Sequence, residues 1–528
     1  MEENSRQQLE LSAGFTAADF EQLARHGISL DNAAEHLHIY RNGIPKTVLD
    51  RPATAGDGII RLSADEVQQA AAFFDTQKDY FKLIKFVPAS GAASRMFKFL
   101  TQFMSEFNVE NETINAYINR KKANELTVFF AGLEKFPFFN DLLTRAKEAF
   151  PEFTSWDVTK RKYHLIKVLL DENHFDFCSK PKGILPFHKY DNHIATPIEE
   201  HLKESVHYAA SNGIARLHFT VSDHHQIEFE QVIENVKEFP EKHSGTKIRA
   251  EFSHQDPATD TFAVDPDNKP VRDNQRNLIL RPGGHGALIQ NLNNLDADIV
   301  FIKNIDNVIQ DHVAVISLHK KALAGTLVKL QQQVFDLLER IESGEVADTD
   351  FGDIADFVRD QLNVRISAEF SKYTVENRLS HLKELLNRPI RVCGMVKNEG
   401  EPGGGPFWVK GTRGDLSLQI VETSQVDMKN RAQADIVAAS THFNPVDLVC
   451  GIRDYRGSKF NLNNYVNRNS GFIVKKNKNG KDLKAYELPG LWNGAMAGWI
   501  TVFVEVPLVT FNPVKTVNDL LKPAHQPH

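Results

Sequence analysis

The stretch Val87-Pro-Ala-Ser-Gly-Ala-Ala-Ser-Arg-Met96 decides the fold expected for this chain. The residues before it, Tyr80–Phe86, are mostly aromatic and aliphatic and predict a buried strand. After it, apolar residues recur at helical spacing from Met96 to Phe107 and predict a helix with one buried face. The sequence therefore predicts a strand, a turn of small residues and a helix in immediate succession.

The turn between these two elements has the composition of an anion-binding loop. Its small residues, Ala89-Ser-Gly-Ala-Ala-Ser94, let a phosphate approach the backbone, where N–H groups at a helix N-terminus attract negative charge. Arg95 follows directly, and a guanidinium can hold a phosphate through paired hydrogen bonds. The same residues are also typical of a tight connection between a strand and a helix that binds no ligand and carries an arginine on the surface. The stretch is neither a Walker A loop nor a Gly-x-Gly-x-x-Gly motif.

Composition and charge restrict the class of protein. The chain has 528 residues, enough for about two or three domains, and a net charge of −7 without a long basic run. Nonspecific nucleic-acid binding is therefore not expected. The N-terminus is too polar for a signal peptide, and no apolar run approaches the roughly 18 residues of a membrane span. Three cysteines without Cys-x-x-Cys predict neither disulfides nor zinc, and we expect a cytoplasmic enzyme.

Strand and helix patterns alternate along most of the chain. Strand patterns at Ala215–Val221, Ile248–Phe252 and Asp298–Lys303 predict an α/β fold with a mixed, largely parallel sheet flanked by helices. The predicted boundaries are a helical N-terminal region over 1–80, one α/β half over 81–320, a helical insertion or linker over 321–386, and a second half over 387–528. Within the last part, the glycine-rich run Glu401–Trp408 predicts a flexible loop.

Two further motifs suit a polar ligand. Lys180–His188 fixes an extended backbone around a proline and a glycine, which projects the cation of Lys182. Arg281-Pro-Gly-Gly-His-Gly-Ala287 is a second glycine-rich loop that leads into a helix.

Asp306 follows the predicted strand Asp298–Lys303 at its C-terminal end. This is the edge at which ligands bind in open α/β sheets, and a carboxylate there suits Mg²⁺. A turn-forming Asx residue explains Asp306 equally well.

The order of these motifs resembles that of the UDP-sugar pyrophosphorylases. From Gly91 to Lys515 the chain carries a small-residue loop ending in arginine, Pro-Lys-Gly, Pro-Gly-Gly-His-Gly, a strand with Asp-Asn-Val, and Asn-Pro-Val-Lys-Thr. Gln419–Gln425 resembles the Val-Glu-Tyr-Ser-Glu strand of the N-acetylhexosamine branch, and Asn512–Leu521 resembles a segment of the glucose branch. The whole chain also resembles a bacterial family described as a domain of unknown function, which implies no activity. The first loop keeps one glycine where the pyrophosphorylases usually have three, which bears on how closely a phosphate can approach. Its Ser-Arg-Met ending resembles that of other nucleotidyltransferases of the same fold, which use different nucleotides, so the base stays open.

The resemblance implies a nucleotide-diphospho-sugar transferase fold, GT-A or Rossmann-like, and a nucleotidyltransferase reaction. A sugar 1-phosphate would attack the α-phosphorus of a nucleoside triphosphate, with UTP favoured, and pyrophosphate would leave. The nucleotide would bind the half over 81–320 and the sugar phosphate the half over 387–528. Mg²⁺ would be the cofactor, and neither nucleic acid nor a membrane is implied as a partner.

The resemblance also implies roles for individual residues. The cations that act on the phosphates would be Arg95, Lys182 and Lys515, with Lys515 acting from the sugar-phosphate half, and Asp306 would bind Mg²⁺. Nucleotide-binding residues would be Ala89, Ser90, Gly91, Ala92, Ala93, Ser94, Gln255, Gly283, Gly284, His285 and Gly286. Sugar-binding residues would be Glu422, Asn444 and Asn493. Taken singly, the two lysines are also typical of a protein surface, and Gln255 is typical of a solvated loop.

Two other classes of protein remain open at the level of sequence. Glycosyltransferases share the nucleotide-sugar fold and commonly depend on an Asp-x-Asp metal motif, and Asp265-Pro-Asp267 has that form. Its proline favours a turn instead. A non-catalytic sensor of nucleotides or sugar phosphates would keep the loops and tolerate loss of Asp306 or Lys182, both of which are present.

Overall fold

The structure is a computed structural model, and it describes residues 2–367, 369–401, 403–411, 415–478 and 481–527. Its α-helices are α1 (Glu2–Ala13), α2 (Ala17–Arg25), α3 (Leu30–Asn42), α4 (Ala64–Gln77), α5 (Lys98–Glu106), α6 (Ile114–Lys121), α7 (Asn124–Ala131), α8 (Phe139–Ala149), α9 (Val158–Leu170), α10 (Pro197–Tyr208), α11 (Gln226–Val236), α12 (Glu238–Ser244), α13 (Leu288–Asn294), α14 (Val313–Ser343), α15 (Phe351–Asp360), α16 (Val375–Leu386) and α17 (Arg431–Ala438). Its strands are β1 (Leu49–Pro52), β2 (Thr54–Ala55), β3 (Gly58–Ile60), β4 (Leu83–Pro88), β5 (His188–Lys189), β6 (Ile194–Ala195), β7 (Ala210–Ser211), β8 (Ile214–Thr220), β9 (Lys247–Ser253), β10 (Thr261–Phe262), β11 (Leu280–Arg281), β12 (Ile299–Lys303), β13 (Ile390–Lys397), β14 (Gly404–Lys410), β15 (Leu416–Glu422), β16 (His442–Phe443), β17 (Asp447–Gly451), β18 (Phe472–Lys478), β19 (Lys481–Glu487) and β20 (Ile500–Glu505).

The chain folds into two compact units that do not follow the boundaries expected from the sequence. The larger unit comprises the described residues of Met1–Leu83, His254–Ile302 and His319–Leu508. The smaller unit comprises those of Ile84–Ser253, Lys303–Leu318 and Val509–His528. Each unit is therefore built from separate segments of the chain. Among the described residues, no helix combines the length and the apolar composition that a membrane span requires.

The smaller unit contains the strand, loop and helix that open the sequence analysis. Strand β8 pairs in parallel with β4 and with β9, and antiparallel with β7. Every residue of β4 from Leu83 to Val87 is buried, as the apolar run predicts. The apolar face of α5 packs into a phenylalanine-rich core with α6 to α9. Each fully buried phenylalanine contributes on the order of 2 kcal/mol, so this core fixes the helix that follows the loop.

The larger unit contains a further set of paired strands. Strands β2, β3, β20 and β13 pair in parallel, and β13 also pairs antiparallel with β16 and β17. Because β3 pairs with β20, the first 80 residues contain strands as well as the helices expected there. Helices α14 to α16 occupy most of the predicted helical segment. Sheets with mainly parallel pairs and flanking helices confirm the predicted α/β class.

The prediction of a flexible loop over Glu401–Trp408 is wrong from Gly404 onward, where a strand begins. Strand β14 begins at Gly404 and pairs antiparallel with β1 on one side and β15 on the other. Pairing on both edges satisfies its backbone hydrogen bonds and outweighs the low strand propensity of glycine and proline. Pro402 lies outside the described residues.

Candidate functional site

Two lysines and one aspartate predicted to act on phosphates meet in the smaller unit. The Lys182 ammonium group lies 2.8 Å from Asp306 Oδ2, and the Lys515 ammonium group lies 3.1 Å from the same oxygen. Asp306 is buried, whereas the Lys515 side chain is 58% exposed. Burial raises the pKa of Asp306, but the positive charges of Lys182 and Lys515 outweigh it and hold that pKa below its usual range. Asp306 is therefore ionised and pairs with both cations.

Backbone contacts bring these distant parts of the sequence together. Asp306 follows β12, and its carbonyl oxygen accepts a hydrogen bond of 3.0 Å from Val514 N. Asn307 also forms a β-bridge with Pro513, so the backbone next to Lys515 is held against the end of the strand. Lys182 Nζ donates to the Val514 carbonyl oxygen at 2.7 Å. Lys515 thus belongs to the same compact unit as Lys182 and Asp306.

The small-residue loop joins this group through its own backbone. Ala93 N donates to the Lys180 carbonyl oxygen at 2.9 Å, and Ala92 forms a β-bridge with Pro181. The short 3₁₀ helix Ala93–Arg95 connects the loop to α5. The backbone between Lys180 and Lys182 is therefore fixed by the loop that precedes Arg95.

Arg95 itself faces solvent. Its side chain has no hydrogen bond or ion pair with any residue that the structure describes. The backbone after it is tied to the Lys515 segment, because Val517 N donates to the Met96 carbonyl oxygen at 3.0 Å. A guanidinium beside a loop of small residues, with no acidic partner, is free to bind an anion.

A buried ion cluster, which the sequence did not reveal, lies next to Asp306. The Glu204 carboxylate on α10 accepts hydrogen bonds from Lys85 Nζ and from Lys303 Nζ, the latter at 2.7 Å. Nearby, His201 Nε2 donates to the carbonyl oxygen of Ile305 at 3.2 Å. The cluster thus ties α10 to β4, which leads into the small-residue loop, and to β12, which leads to Asp306. No local pattern could indicate it, since its members are far apart in the sequence.

The glycine-rich loop that carries His285 lies in the larger unit and is closely packed. A methyl group on Gly286 would lie 2.2 Å from the Pro489 carbonyl oxygen, and one on Gly283 would lie 2.4 Å from the Thr259 carbonyl oxygen. These two glycines are therefore required for contact with neighbouring backbone, a role that the sequence did not predict. Gln255 Nε2 donates to the Gly284 carbonyl oxygen at 3.4 Å, so two predicted nucleotide-binding residues do meet.

Two of the three predicted sugar-binding residues are also in contact. Asn493 Nδ2 donates to Glu422 Oε1 at 2.9 Å. Burial raises the pKa of Glu422, which the hydrogen bond from Asn493 offsets only in part. Glu422 lines a cavity of about 390 Å³, and Asn493 lines one of about 640 Å³. Gln425 and Ser470 line both cavities and supply an amide and a hydroxyl group to each.

Asn444 has a different environment. It is buried, and its Oδ1 accepts a hydrogen bond of 3.0 Å from the backbone N–H of Val446, which has a positive φ of 59°. Within the described part of the chain, no hydrogen bond joins Asn444 to Glu422 or Asn493. The side chain supports a strained turn, so the structure gives Asn444 a local structural contact and does not place it with the other two.

Lys46 and Trp492 are two residues of the larger unit that sequence reasoning missed. Lys46 lines both cavities and donates from Nζ to the Ser424 carbonyl oxygen at 2.8 Å. Trp492 stacks on His285 with ring centres 4.7 Å apart. The polar-aromatic composition of Pro489–Gly494 was the only local signal for Trp492, and none pointed to Lys46.

The residues around Asp306 can hold Mg²⁺ if Lys182 and Lys515 release the Asp306 carboxylate. Among the described residues, no group of three histidine, cysteine, aspartate or glutamate side chains could hold a metal ion. Mg²⁺ is commonly held by one or two carboxylates together with water and substrate phosphates. Asp306 can be such a ligand once its two lysines turn to the phosphates. Asp265, from the Asp-x-Asp motif, instead accepts a hydrogen bond from Lys269 N at 2.9 Å in a turn.

The fold and the candidate site define an α/β protein with a small-residue loop, an exposed arginine and two lysines paired with one buried aspartate. Residues 16–526 match the model of the family described as "Domain of unknown function (DUF4301)". The chain belongs to this family. No curated protein matches its sequence.

Several solved structures are similar to this chain. The uridine diphosphate N-acetylglucosamine pyrophosphorylase from Trypanosoma brucei, in complex with an inhibitor, is 11% identical over 98% of this chain and 81% of that one, with a TM-score of 0.46. The UDP-glucose phosphorylase from the same organism is 12% identical over 96% and 77% of the two chains, with a TM-score of 0.43. The UDP-glucose pyrophosphorylase from Leishmania major is 12% identical over 96% and 77%, with a TM-score of 0.37.

Proposed function

We propose that the protein is a sugar-1-phosphate nucleotidyltransferase that forms an NDP-sugar and pyrophosphate from a nucleoside triphosphate and a sugar 1-phosphate. The observation that carries the proposal is the pairing of Lys182 and Lys515 with Asp306 in the unit that also carries the small-residue loop and Arg95. The order of the sequence motifs favours UTP as the nucleotide. The Glu422 carboxylate and the Asn493 amide, each of which lines one of the two cavities, favour a polyhydroxylated second substrate.

This chemistry demands cations more than a base. A phosphate oxygen of the sugar 1-phosphate attacks the α-phosphorus, the bond to the bridging oxygen of the β-phosphate breaks, and pyrophosphate leaves with that bond's electron pair. The nucleophile is already an anion, so no proton has to be removed. The two substrates repel each other, and positive charge must offset that repulsion.

The residues in hand can supply that charge. In the protein alone, both ammonium groups contact the Asp306 carboxylate, which keeps them close and leaves one net positive charge for a phosphate. An incoming phosphate competes with the carboxylate for the same ammonium groups. Arg95 can hold the leaving pyrophosphate through two parallel hydrogen bonds. Mg²⁺, held by Asp306 when the lysines turn away, would neutralise further phosphate charge.

The test is a matrix of nucleoside triphosphates against sugar 1-phosphates, with pyrophosphate as the measured product. We expect one pair to give pyrophosphate in the presence of Mg²⁺ and excess chelator to stop it. The Asp306→Ala variant should keep its fold and lose most of the turnover. If no pair gives pyrophosphate while nucleotides still bind, the sensor function is correct instead. Transfer of sugar from an NDP-sugar to an acceptor, with release of NDP, would identify a glycosyltransferase.

A further inference from the structure

The glycine-rich loop and the segment Pro489–Asn493 dock against each other through their backbones. Leu488 N donates to the Gly283 carbonyl oxygen at 2.8 Å. A methyl group on Gly490 would lie 2.3 Å from His285 Nε2, and one on Gly286 would lie 2.2 Å from the Pro489 carbonyl oxygen. The two loops are built to hold one another in place.

Trp492 lies at the centre of this contact. Its indole ring stacks on the His285 imidazole, with centres 4.7 Å apart and planes inclined by 24°. Burial lowers the pKa of His285 to about 4, so the stack joins two neutral rings at neutral pH. The Trp492 carbonyl oxygen accepts a hydrogen bond of 2.6 Å from Nη1 of Arg391, which is fully buried on β13. Arg391 Nε donates in turn to Thr501 Oγ1 at 2.9 Å on β20. The tryptophan is thus anchored to the centre of the sheet.

The next residue, Asn493, reaches the predicted sugar site. Its Nδ2 donates to Glu422, and its Oδ1 is buried without a hydrogen-bond partner in the described part of the chain. Asn493 is only 1% exposed, and it lines the cavity of about 640 Å³. An unsatisfied buried acceptor in such a position is completed by a donor, such as a hydroxyl or an amide N–H of a bound ligand.

We propose that Trp492 is a positioning residue that makes nucleotide binding and sugar binding interdependent. The inference rests on the proposed function. A nucleotide bound at the glycine-rich loop would fix the position of the His285 ring. The Trp492 indole, which stacks on that ring, would then be held in one position. Asn493, the next residue, and its partner Glu422 would in turn be held in the geometry that binds the sugar. Because such coupling is reciprocal, the bound sugar phosphate must raise the affinity for the nucleotide by the same factor by which the nucleotide raises the affinity for the sugar phosphate.

The test measures that factor directly. Calorimetry would give the affinity for a UTP analogue with a methylene group between the α- and β-phosphorus, which cannot react, with and without saturating N-acetylglucosamine 1-phosphate or glucose 1-phosphate. Couplings between sites typically amount to roughly 5–150-fold. We expect a factor in this range for the wild-type protein, a factor near one for Trp492→Ala, and most of the wild-type factor for Trp492→Phe, which keeps an aromatic ring.

A matched control is available in the smaller unit. The Trp156 ring contacts the His164 ring with centres 4.4 Å apart, but Trp156 lies just before α9 and outside the candidate site. Trp156→Ala should therefore keep the wild-type coupling. Thermal unfolding and circular dichroism of both alanine variants separate lost coupling from lost folding, and Trp492→Phe decides the case if the alanine variant is unfolded. If Trp492→Ala is folded and its coupling factor is unchanged, this inference is overturned and the proposed function is not affected. If the wild-type protein binds neither the UTP analogue nor a sugar phosphate, the proposed function fails as well.

Discussion

The Lys182 ammonium group lies 2.8 Å from the carboxylate of Asp306, although 124 residues of sequence separate them. The same ammonium group reaches the Val514 carbonyl oxygen, so one lysine connects the end of β12 with the C-terminal segment. A buried ion pair of this kind contributes little net stability, because desolvation offsets the attraction. The ion pair holds the Lys182 ammonium group at a position where an incoming phosphate can replace the Asp306 carboxylate as its partner.

Lys515 provides the first prediction. Its side chain is exposed, so Lys515→Ala should fold normally while it raises the KM for the sugar 1-phosphate, lowers kcat, or both. Removing one contact to a reacting phosphate costs on the order of 3 kcal/mol, which is roughly a hundredfold in kcat/KM. Initial-rate kinetics measure this change. Lys522→Ala, in the same segment and equally exposed, is the matched control and should change kcat/KM less than about twofold. Equal effects of the two variants would contradict the prediction.

Arg95 provides the second prediction. Its exposed guanidinium has no partner in the described residues, so Arg95→Ala should cost no structural contact and leave the unfolding temperature unchanged. Triphosphate binding should weaken on the order of tenfold, and Arg95→Lys should recover only part of it because an ammonium lacks the two-pronged geometry. Calorimetry with UTP measures both variants. Wild-type affinity in Arg95→Ala would show that the loop does not bind the triphosphate through this side chain.

The pH dependence of stability follows from the lowered pKa of Asp306. A carboxyl group whose pKa is lower in the folded state stabilises the fold above its unfolded pKa, and this contribution is lost as the pH falls through the folded value. Wild-type protein should therefore be more stable than Asp306→Asn at pH 7, and the difference should shrink below about pH 4. Urea unfolding of both proteins between pH 7 and pH 3 measures the difference. A constant difference across this range would contradict the assignment of an ionised Asp306.

The buried ion cluster predicts an asymmetry between its acidic and basic members. Glu204→Gln leaves the ammonium groups of Lys85 and Lys303 buried without their carboxylate and should cost about 3–5 kcal/mol in the free energy of unfolding. Lys303→Met leaves the Lys85–Glu204 pair intact and should cost clearly less. Denaturant unfolding compares the two variants. Similar losses would mean that the cluster acts mainly through packing.

Two glycines distinguish backbone packing from ligand approach. A methyl group on Gly286 would meet the Pro489 carbonyl oxygen, so Gly286→Ala should destabilise the larger unit by roughly 1–3 kcal/mol. A methyl group on Gly91 meets nothing within 4 Å, so Gly91→Ala should keep wild-type stability. Any loss of UTP affinity in the Gly91 variant then reports on approach of the phosphates to the loop. Thermal unfolding and calorimetry test both substitutions, and a stable Gly286→Ala would contradict the packing role.

Local patterns in the sequence predict several of the elements that the structure contains. The apolar run before Val87 predicts the buried strand β4, and the patterns around Ile248 and Ile299 predict strands β9 and β12, all of which are present. These predictions succeed because the period of buried side chains depends on residues only a few positions apart. The motif order also singled out Lys182, Asp306 and Lys515, which the structure brings into contact.

Only the tertiary structure decided which of those residues meet. Lys515 joins Lys182 and Asp306 because Pro513 and Val514 pair with the backbone at Asn307 and Asp306, a contact that no local pattern encodes. Strand β14 forms against its local composition because β1 and β15 satisfy its hydrogen bonds. The physical reason is common to these cases. Backbone pairing and burial between distant segments set the free energy of each arrangement, and a sequence window contains only one of the two partners.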